Sequence, residues 1–403
     1  MKSSVPLIPP YGGTLVDRTV DAGSLSRSVA TGAPAIKLAH DAAIHLGNLA
    51  VGCYSPLQGF MTEEIYQSVI ADGLCAPGLN WTIPILLHVE TEIFAKVKPG
   101  EALVLQNANG VAVATLNVES AFSIAPDAYC KSVYGTTSKT HPGVQDLLGK
   151  PPTCLGGTVS VAMEIMPKFR YLSTPAVARA WVEAKQAATC VAFSTRNICH
   201  LGHEYLHNTA LESADALCIS IITGAQVKGS FLPDVIFDTY EYLLGNHYPE
   251  DRVLLNNLRL PPIYGGPKEA FLQATMMQNY GYTDFIVGRD HAGIGDFYSK
   301  YASQKIFEML TSLDIGIRPI SEPRFCKVCN KITTERGCRH DGTDVRTLNG
   351  RDVRRYLMEN RFAELDSILR PELSNLLTRM FEENLAPGST ELCMRERRKL
   401  LYE

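Results

Sequence analysis

The sequence predicts an α/β protein with a β-rich amino-terminal part, an alternating middle and a small cysteine-bearing carboxyl-terminal unit. Three observations carry this expectation. Up to residue 166, short apolar runs are separated by Gly, Asn and Pro, the punctuation of strands and turns. After Pro167, short apolar runs alternate with helical stretches of about 10–15 residues, which implies a parallel sheet with helices on its faces. From Cys326 onward the composition turns cysteine-rich and then charged.

In the first part, Trp81–Val89, Ala102–Gln106, Val111–Val118 and Val159–Met163 read as strands, and Asp41–Ala50 and Thr62–Ile70 as helices. In the second, Thr174–Ala187 is Ala-rich and helical in period, Cys190–Phe193 is a short strand, and Leu201–Asp215 is helical again. Strand Ala216–Ile222, helix Pro233–Leu244, strand Val253–Leu255, helix Lys268–Tyr280 and strands Asp284–Val287 and Ile317–Ile320 complete the alternation. Arg351–Glu359 and Arg370–Asn384 read as surface helices of the last unit. Open α/β sheets bind ligands beyond the carboxyl ends of their strands. The loops Ser194–His200 and Gly288–Gly295 therefore hold the candidate chemistry.

At roughly 100–200 residues per domain, 403 residues suggest two to four domains. The rhythm divides them as 1–166, 167–325 and 326–403. A content of 45% hydrophobic and 20% charged residues excludes wholesale disorder. The formal net charge of −4 offers no global attraction to nucleic acid or an anionic membrane, so any anion site is local. The prolines and paired glycines of Met1–Gly13 interrupt any signal-like apolar stretch. No apolar run approaches the roughly 18–20 residues that span a bilayer. Eleven cysteines, an odd count in a long chain, argue against a secreted disulfide scaffold. The expected setting is cytoplasmic.

The first constellation is Phe193-Ser-Thr-Arg-Asn-Ile-Cys-His-Leu-Gly-His-Glu204. A strand ends, a polar loop follows, and a helix opens on His-X-Gly-His. His200 and His203 are three apart and share a face of the first turn. Gly202 lets a ligand approach the backbone. The helix start offers unpaired N–H groups and a partial positive charge, and Arg196 adds a forked cation. This is equipment for stabilising charge on a nucleotide α-phosphate. Two other readings exist: a polar cap on a helix, and a metal site, although zinc usually draws on His at i and i+4. Arg, Asn and two His together after one strand favour phosphate chemistry.

The second constellation is Ile286-Val-Gly-Arg-Asp-His-Ala-Gly-Ile-Gly-Asp-Phe-Tyr298. Its glycines permit close backbone approach, Arg289 can meet an anion, and Asp290 can accept from ribose or adenine. With Thr195-Arg-Asn and His200-Leu-Gly-His, the run Gly288-Arg-Asp-His-Ala-Gly-Ile-Gly-Asp-Phe-Tyr298 resembles the ATP sulfurylase (sulfate adenylyltransferase) family, in its bacterial single-function form. The likeness spans nearly the whole chain. Ser55-Pro-Leu-Gln-Gly-Phe-Met61, His141-Pro-Gly-Val144, Tyr264-Gly-Gly-Pro-Lys-Glu-Ala270 and Gln278-Asn-Tyr-Gly281 also match.

The resemblance implies a PUA-like amino-terminal domain, a Rossmann-like nucleotidyltransferase domain and a homodimer. It implies the reaction of ATP, with Mg²⁺, and sulfate to adenosine 5′-phosphosulfate and pyrophosphate. It implies that Thr195, Arg196, Asn197, His200 and His203 are catalytic and that Gly288, Arg289, Asp290 and His291 bind nucleotide. Ser194, Arg196 and the backbone near Ala292 would bind the oxyanion.

Cys326-Lys-Val-Cys329 followed by Cys338-Arg-His340 offers three thiols and an imidazole, a complete tetrahedral set for structural Zn²⁺. The competing reading is a loop with free thiols. A similar cysteine cluster in bacterial members of the family supports the zinc site.

The chain departs from the family pattern at several places. Ser194 stands where the family usually has a sulfate-holding Gln, Ile198 where it has Pro, and Ile263 where it commonly has Arg. Asn349-Gly-Arg-Asp-Val-Arg354 replaces Ser-Gly-Thr-X-X-Arg, and Lys228–Asp234 lacks the usual Lys-Pro-Gly-Asp-Ile-Pro. An ordinary sulfurylase is the favoured reading. An adenylyltransferase for another oxyanion, sulfonate or carboxylate is the alternative, and a catalytically weak nucleotide-binding regulator is the second alternative. The sequence has no Gly-X-X-X-X-Gly-Lys-Ser/Thr loop, so no sulfate-kinase activity is expected.

Overall fold

The structure, a computed structural model, describes residues 7–28, 32–224 and 229–383. Lys228 and Asn384, which end two of the segments discussed above, lie outside them. Two compact units interleave along the chain: Met1–Ala188 with Arg259–Arg318, and Thr189–Leu258 with Pro319–Glu403. Among the described residues no helix is long and apolar enough to cross a membrane.

The first unit is built on a six-stranded sheet. Ala102–Gln106, Ala112–Ser123 and Thr153–Val161 form an antiparallel meander, with Ala35–Lys37 added in parallel on one side. Gly59–Phe60 and Leu87–His88 pair with the last strand of the meander. Leu103, Leu105, Leu116, Leu155, Val159 and Val161 are fully buried, the alternate-residue pattern of a sheet with one face on a core. The third long strand covers Thr153–Val161 rather than Val159–Met163. Its Gly156-Gly157 pair looks like a breaker but is a fitting. A Cβ on Gly157 would lie 2.0 Å from the Asn117 carbonyl oxygen, and φ there is +151°.

Trp81–Val89 does not form one strand; only Leu87–His88 pairs. Pro84 supplies no N–H to a ladder. The apolar run is explained instead by burial, since Trp81, Ile83, Ile85 and Leu86 sit in the core on irregular backbone. Helices His40–Ala50 and Glu63–Asp72 agree with their apolar periodicity, the second capped by the Thr62 hydroxyl and ended by Gly73 at φ +68°. Pro126–Tyr134 and Pro142–Leu148 are further helices, each opening on proline. Helix Pro267–Asn279 is buried at every residue from Glu269 to Asn279. Strand Asp284–Val287 follows it and releases the glycine-rich loop.

In the second unit, strands Val253–Arg259, Ala216–Thr223 and Cys190–Thr195 lie side by side in that order. The last two are parallel, with Ala216 opposite Cys190 and Ile221 opposite Thr195. Every residue of both is buried, as strands covered on two faces require. Helices Leu201–Ser213 and Pro233–Asn246 are the crossovers. The carboxyl end of Cys190–Thr195 delivers the 196–200 turn into helix Leu201–Ser213.

The rest of this unit holds a small antiparallel sheet in the order Lys331–Thr333, Arg324–Cys326, Val345–Thr347. Helices Gly350–Met358, Phe362–Leu365 and Pro371–Glu383 follow. They are more than surface helices: Val353, Leu357, Leu365, Leu373, Leu377 and Phe381 are buried.

Candidate active site and metal centre

Ser194 and Thr195 are the last residues of their strand and both are buried. The Thr195 hydroxyl accepts the Asn197 N–H at 3.1 Å and starts the turn. Ile198 is fully buried, so this turn is anchored by an apolar plug where the family has proline. Asn197 Oδ1 accepts from Arg354 Nη1 at 3.0 Å.

His200 is the N-cap of helix Leu201–Ser213, and its Nδ1 accepts the His203 N–H at 3.3 Å. In the neutral ring the proton is therefore on Nε2. The His200 and His203 rings stack with centroids 3.7 Å apart and planes 19° apart. The Leu201 N–H is taken by the Ile368 carbonyl at 2.9 Å. That leaves the Gly202 N–H as the first-turn donor that neither the cap nor this carbonyl occupies. A Cβ on Gly202 would lie 3.1 Å from the His200 ring, so a larger residue there would press on the imidazole.

Burial holds the His203 imidazole down to about 4, with the Ile198 carbonyl opposing part of the effect. Burial, then His203 and His207, hold His200 well below the usual imidazole range. Both rings are therefore neutral at pH 7. His207, one turn on, is also buried, with its Nδ1 2.7 Å from the Tyr248 hydroxyl. Glu204 is buried and paired with Arg370. Sequence reasoning missed His207, Arg370 and the contact of Arg354.

In the first unit, Gly288 to Tyr298 forms a pinned loop. Asp290 and Ala292 have φ of +50° and +56°, a conformation non-glycine residues hold only when their surroundings impose it. The surroundings are explicit. Asp290 N–H donates to the Lys300 carbonyl at 2.7 Å, Ser303 donates to the His291 carbonyl at 2.7 Å, and Gly266 N–H donates to the Ala292 carbonyl at 3.0 Å. A Cβ on Gly293 would lie 1.9 Å from Asp290 Oδ1, so a larger residue there would have to displace that carboxylate. Arg289 is exposed.

Beneath the loop, Glu269 Oε2 accepts the Gly265 N–H and Glu269 Oε1 accepts from Gln273 Nε2. That orients the Gln273 amide so that its Oε1 faces His291 Nε2 at 2.9 Å. A carbonyl oxygen only accepts, so His291 carries its proton on Nε2. Glu269 and Gln273 were missed too. Their signal was two polar residues four apart, flanking the apolar stretch Ala270-Phe-Leu272 of the helix.

Cys326, Cys329, Cys338 and His340 bring their ligand atoms within 4.8 Å of one another. The Cys326–Cys338 and Cys329–Cys338 sulfurs are 3.7 Å apart. His340 Nδ1 lies 3.2–3.5 Å from the three sulfurs. A tetrahedral ion with bonds of about 2.3 Å to sulfur sets its sulfurs about 3.8 Å apart. The residues fit such an ion, and four protein ligands complete its shell.

A buried parallel strand that releases a polar turn into a histidine-capped helix defines an α/β protein whose strand end and helix start meet at one loop. The chain belongs to the ATP-sulfurylase family: the family model for ATP-sulfurylase matches residues 169–380, and that for the PUA-like domain matches 8–164. It is 36% identical over 381 residues to a sulfate adenylyltransferase of Halothermothrix orenii, covering 92% of this chain and 98% of that protein. A sulfate adenylyltransferase of Hyperthermus butylicus is 35% identical over 373 residues, covering 91% and 95%. A solved structure described as a hexameric APS kinase from Thiobacillus denitrificans shares the fold, with a TM-score of 0.69 at 21% identity over 93% of this chain and 68% of that one.

Proposed function

We propose that the protein is a sulfate adenylyltransferase, converting ATP and sulfate to adenosine 5′-phosphosulfate and pyrophosphate. The observation that carries this is the helix start at His200, where two neutral imidazoles and the Gly202 N–H share the first turn and Arg196 belongs to the loop that leads into it. A sulfate oxygen attacks the α-phosphorus of magnesium-bound ATP. The bond from that phosphorus to the β-bridging oxygen breaks, and pyrophosphate leaves with the electron pair. Sulfate is already ionised, so no proton moves and no general base or covalent enzyme intermediate is needed. Catalysis is positioning and charge stabilisation.

In the second unit, Arg196 and Ser194 are the proposed oxyanion ligands. Thr195 and Asn197 set the turn, and His200 and His203 donate to phosphate oxygens as charge moves to the leaving group. In the first unit, Gly288, Arg289, Asp290 and His291 are the proposed nucleotide ligands, and the Ala292 backbone an oxyanion contact. The Cys326, Cys329, Cys338 and His340 set is assigned to zinc, which when bound supplies folding energy rather than chemistry. Residues 1–166, 167–325 and 326–403 are assigned as PUA-like, catalytic and zinc-bearing segments of a cytoplasmic homodimer.

Ser194 favours a second reading. A serine side chain is shorter than the glutamine usual in the family and has one donor hydrogen rather than two, which suits a different or bulkier oxyanion. Pyrophosphate release from ATP, measured with sulfate, selenate, molybdate, phosphite and small sulfonates on wild type and Ser194→Gln, tests both. Efficient release with sulfate supports the first reading. Release only with another anion supports the second, and no anion-dependent release sinks both.

A further inference from the structure

The turn that carries His200 and His203 is held at three points by residues far along the chain. Arg354 Nη1 donates to Asn197 Oδ1 at 3.0 Å. The Ile368 carbonyl accepts the Leu201 N–H at 2.9 Å. Arg370 donates to Glu204 Oε2 through Nε at 3.0 Å and Nη2 at 2.5 Å. The three held residues precede, open and follow the first turn of helix Leu201–Ser213. Between them lie His200 and His203, the two imidazoles that the proposed chemistry uses.

Each contact does what local sequence cannot. Asn197 lies in a polar loop outside the helix, where no backbone ladder fixes its side chain. Gly350 closes on it, since a Cβ there would lie 2.7 Å from Asn197 Oδ1. The Ile368 carbonyl fills one of the donor positions that a helix start leaves open and so fixes the direction of the first turn. Glu204 is only 3% exposed, and its Oε1 has no partner. Without Arg370 it would place an uncompensated carboxylate one turn from the proposed phosphate site. Strand Lys331–Thr333 of the small sheet packs on the same helix.

We propose that Arg354, the Ile368 carbonyl and Arg370 are positioning elements for the His200–His203 turn, so that the carboxyl-terminal segment sets the geometry of the transfer step. This rests on the function proposed above. None of the three touches substrate in the argument; they act through Asn197, Leu201 and Glu204.

The test compares wild type with Arg354→Met, Arg354→Lys, Arg370→Met and the double variant Glu204→Gln/Arg370→Met. The double variant removes both buried charges and covers the case in which Arg370→Met alone does not fold. Two readouts are taken on folded full-length protein: kcat and KM for ATP and sulfate, and amide hydrogen exchange over residues 197–204. Displacing the turn should lower kcat about tenfold to hundredfold while KM for ATP changes far less. Exchange over 197–204 should quicken about tenfold or more. Arg354→Lys, which keeps one donor for Asn197, should recover part of the lost kcat. Unchanged kcat and unchanged exchange in both Met variants would overturn the proposal. Faster exchange in a protein whose wild type releases no pyrophosphate would overturn the function and leave the clamp standing.

Discussion

Acidification should cost this protein stability through the buried imidazoles of helix Leu201–Ser213. His203 is held down to about 4 by burial, against an unfolded value near 6.5. His200 and His207 are shifted the same way. A depressed imidazole contributes stability that is full above the unfolded value and is lost as pH falls from 6.5 toward 4, because the unfolded chain takes up the proton first. For His203 the difference amounts to about 1.4 kcal/mol at pH 5.5 and about 3 kcal/mol near pH 4. Carboxylates and other histidines titrate over the same range; His45 is likewise held to about 4. A difference between variants removes them. His203→Gln keeps a neutral polar side chain that cannot protonate in this window. Denaturant unfolding at pH 7.5, 6.5, 5.5 and 4.5 should show wild type more stable than His203→Gln at pH 7.5. That advantage should shrink by about 1.4 kcal/mol at pH 5.5. A wild-type-minus-variant difference that stays flat from pH 7.5 to 4.5 would refute the claim that His203 is neutral because it is buried.

Other outcomes follow from single contacts. Freshly prepared, reduced protein should carry about one zinc per chain by metal analysis, and chelation or Cys338→Ser should lower the melting temperature. Gly266 has φ +51°, and a Cβ there would lie 2.6 Å from the Tyr298 ring. Gly266→Ala should therefore destabilise by about 1–3 kcal/mol in denaturant unfolding, whereas Gly13→Ala, at φ +86° with no atom within 4 Å, should show the smaller cost of backbone strain alone. Nitrogen-15 NMR should report the Nε2–H tautomer for neutral His291, and Gln273→Leu should let the Nδ1–H form appear. An Nδ1–H tautomer in wild type would mean that the Gln273 amide is turned the other way.

Much of the chain was legible because its signals are local. Ala102–Gln106 and Asp284–Val287 have the bounds their apolar runs suggested. The strand beginning at Cys190 and the helix after His200 follow from period and from the polar residues between them, although the strand runs through Thr195 rather than stopping at Phe193. The four zinc-type ligands fall within 15 residues, so spacing alone gathers them. Where a local signal had two meanings, the tertiary structure chose. Gly156-Gly157 reads as a break but serves a close strand crossing, and Trp81–Val89 reads as a strand but is buried irregular chain.

What the sequence determined by itself is the set of chemical groups and the local turn that displays them: His200 caps its own helix through a contact three residues long. Only the tertiary structure decided what holds that turn and in what protonation state. Arg354 meets Asn197 across 157 residues and Arg370 meets Glu204 across 166. No period or motif encodes a pairing of that range, because it exists only after the sheet and its crossovers have brought the segments together. Neutral imidazoles at pH 7 have the same origin: the side chain is written in the sequence, but its charge is set by the solvent that packing removes.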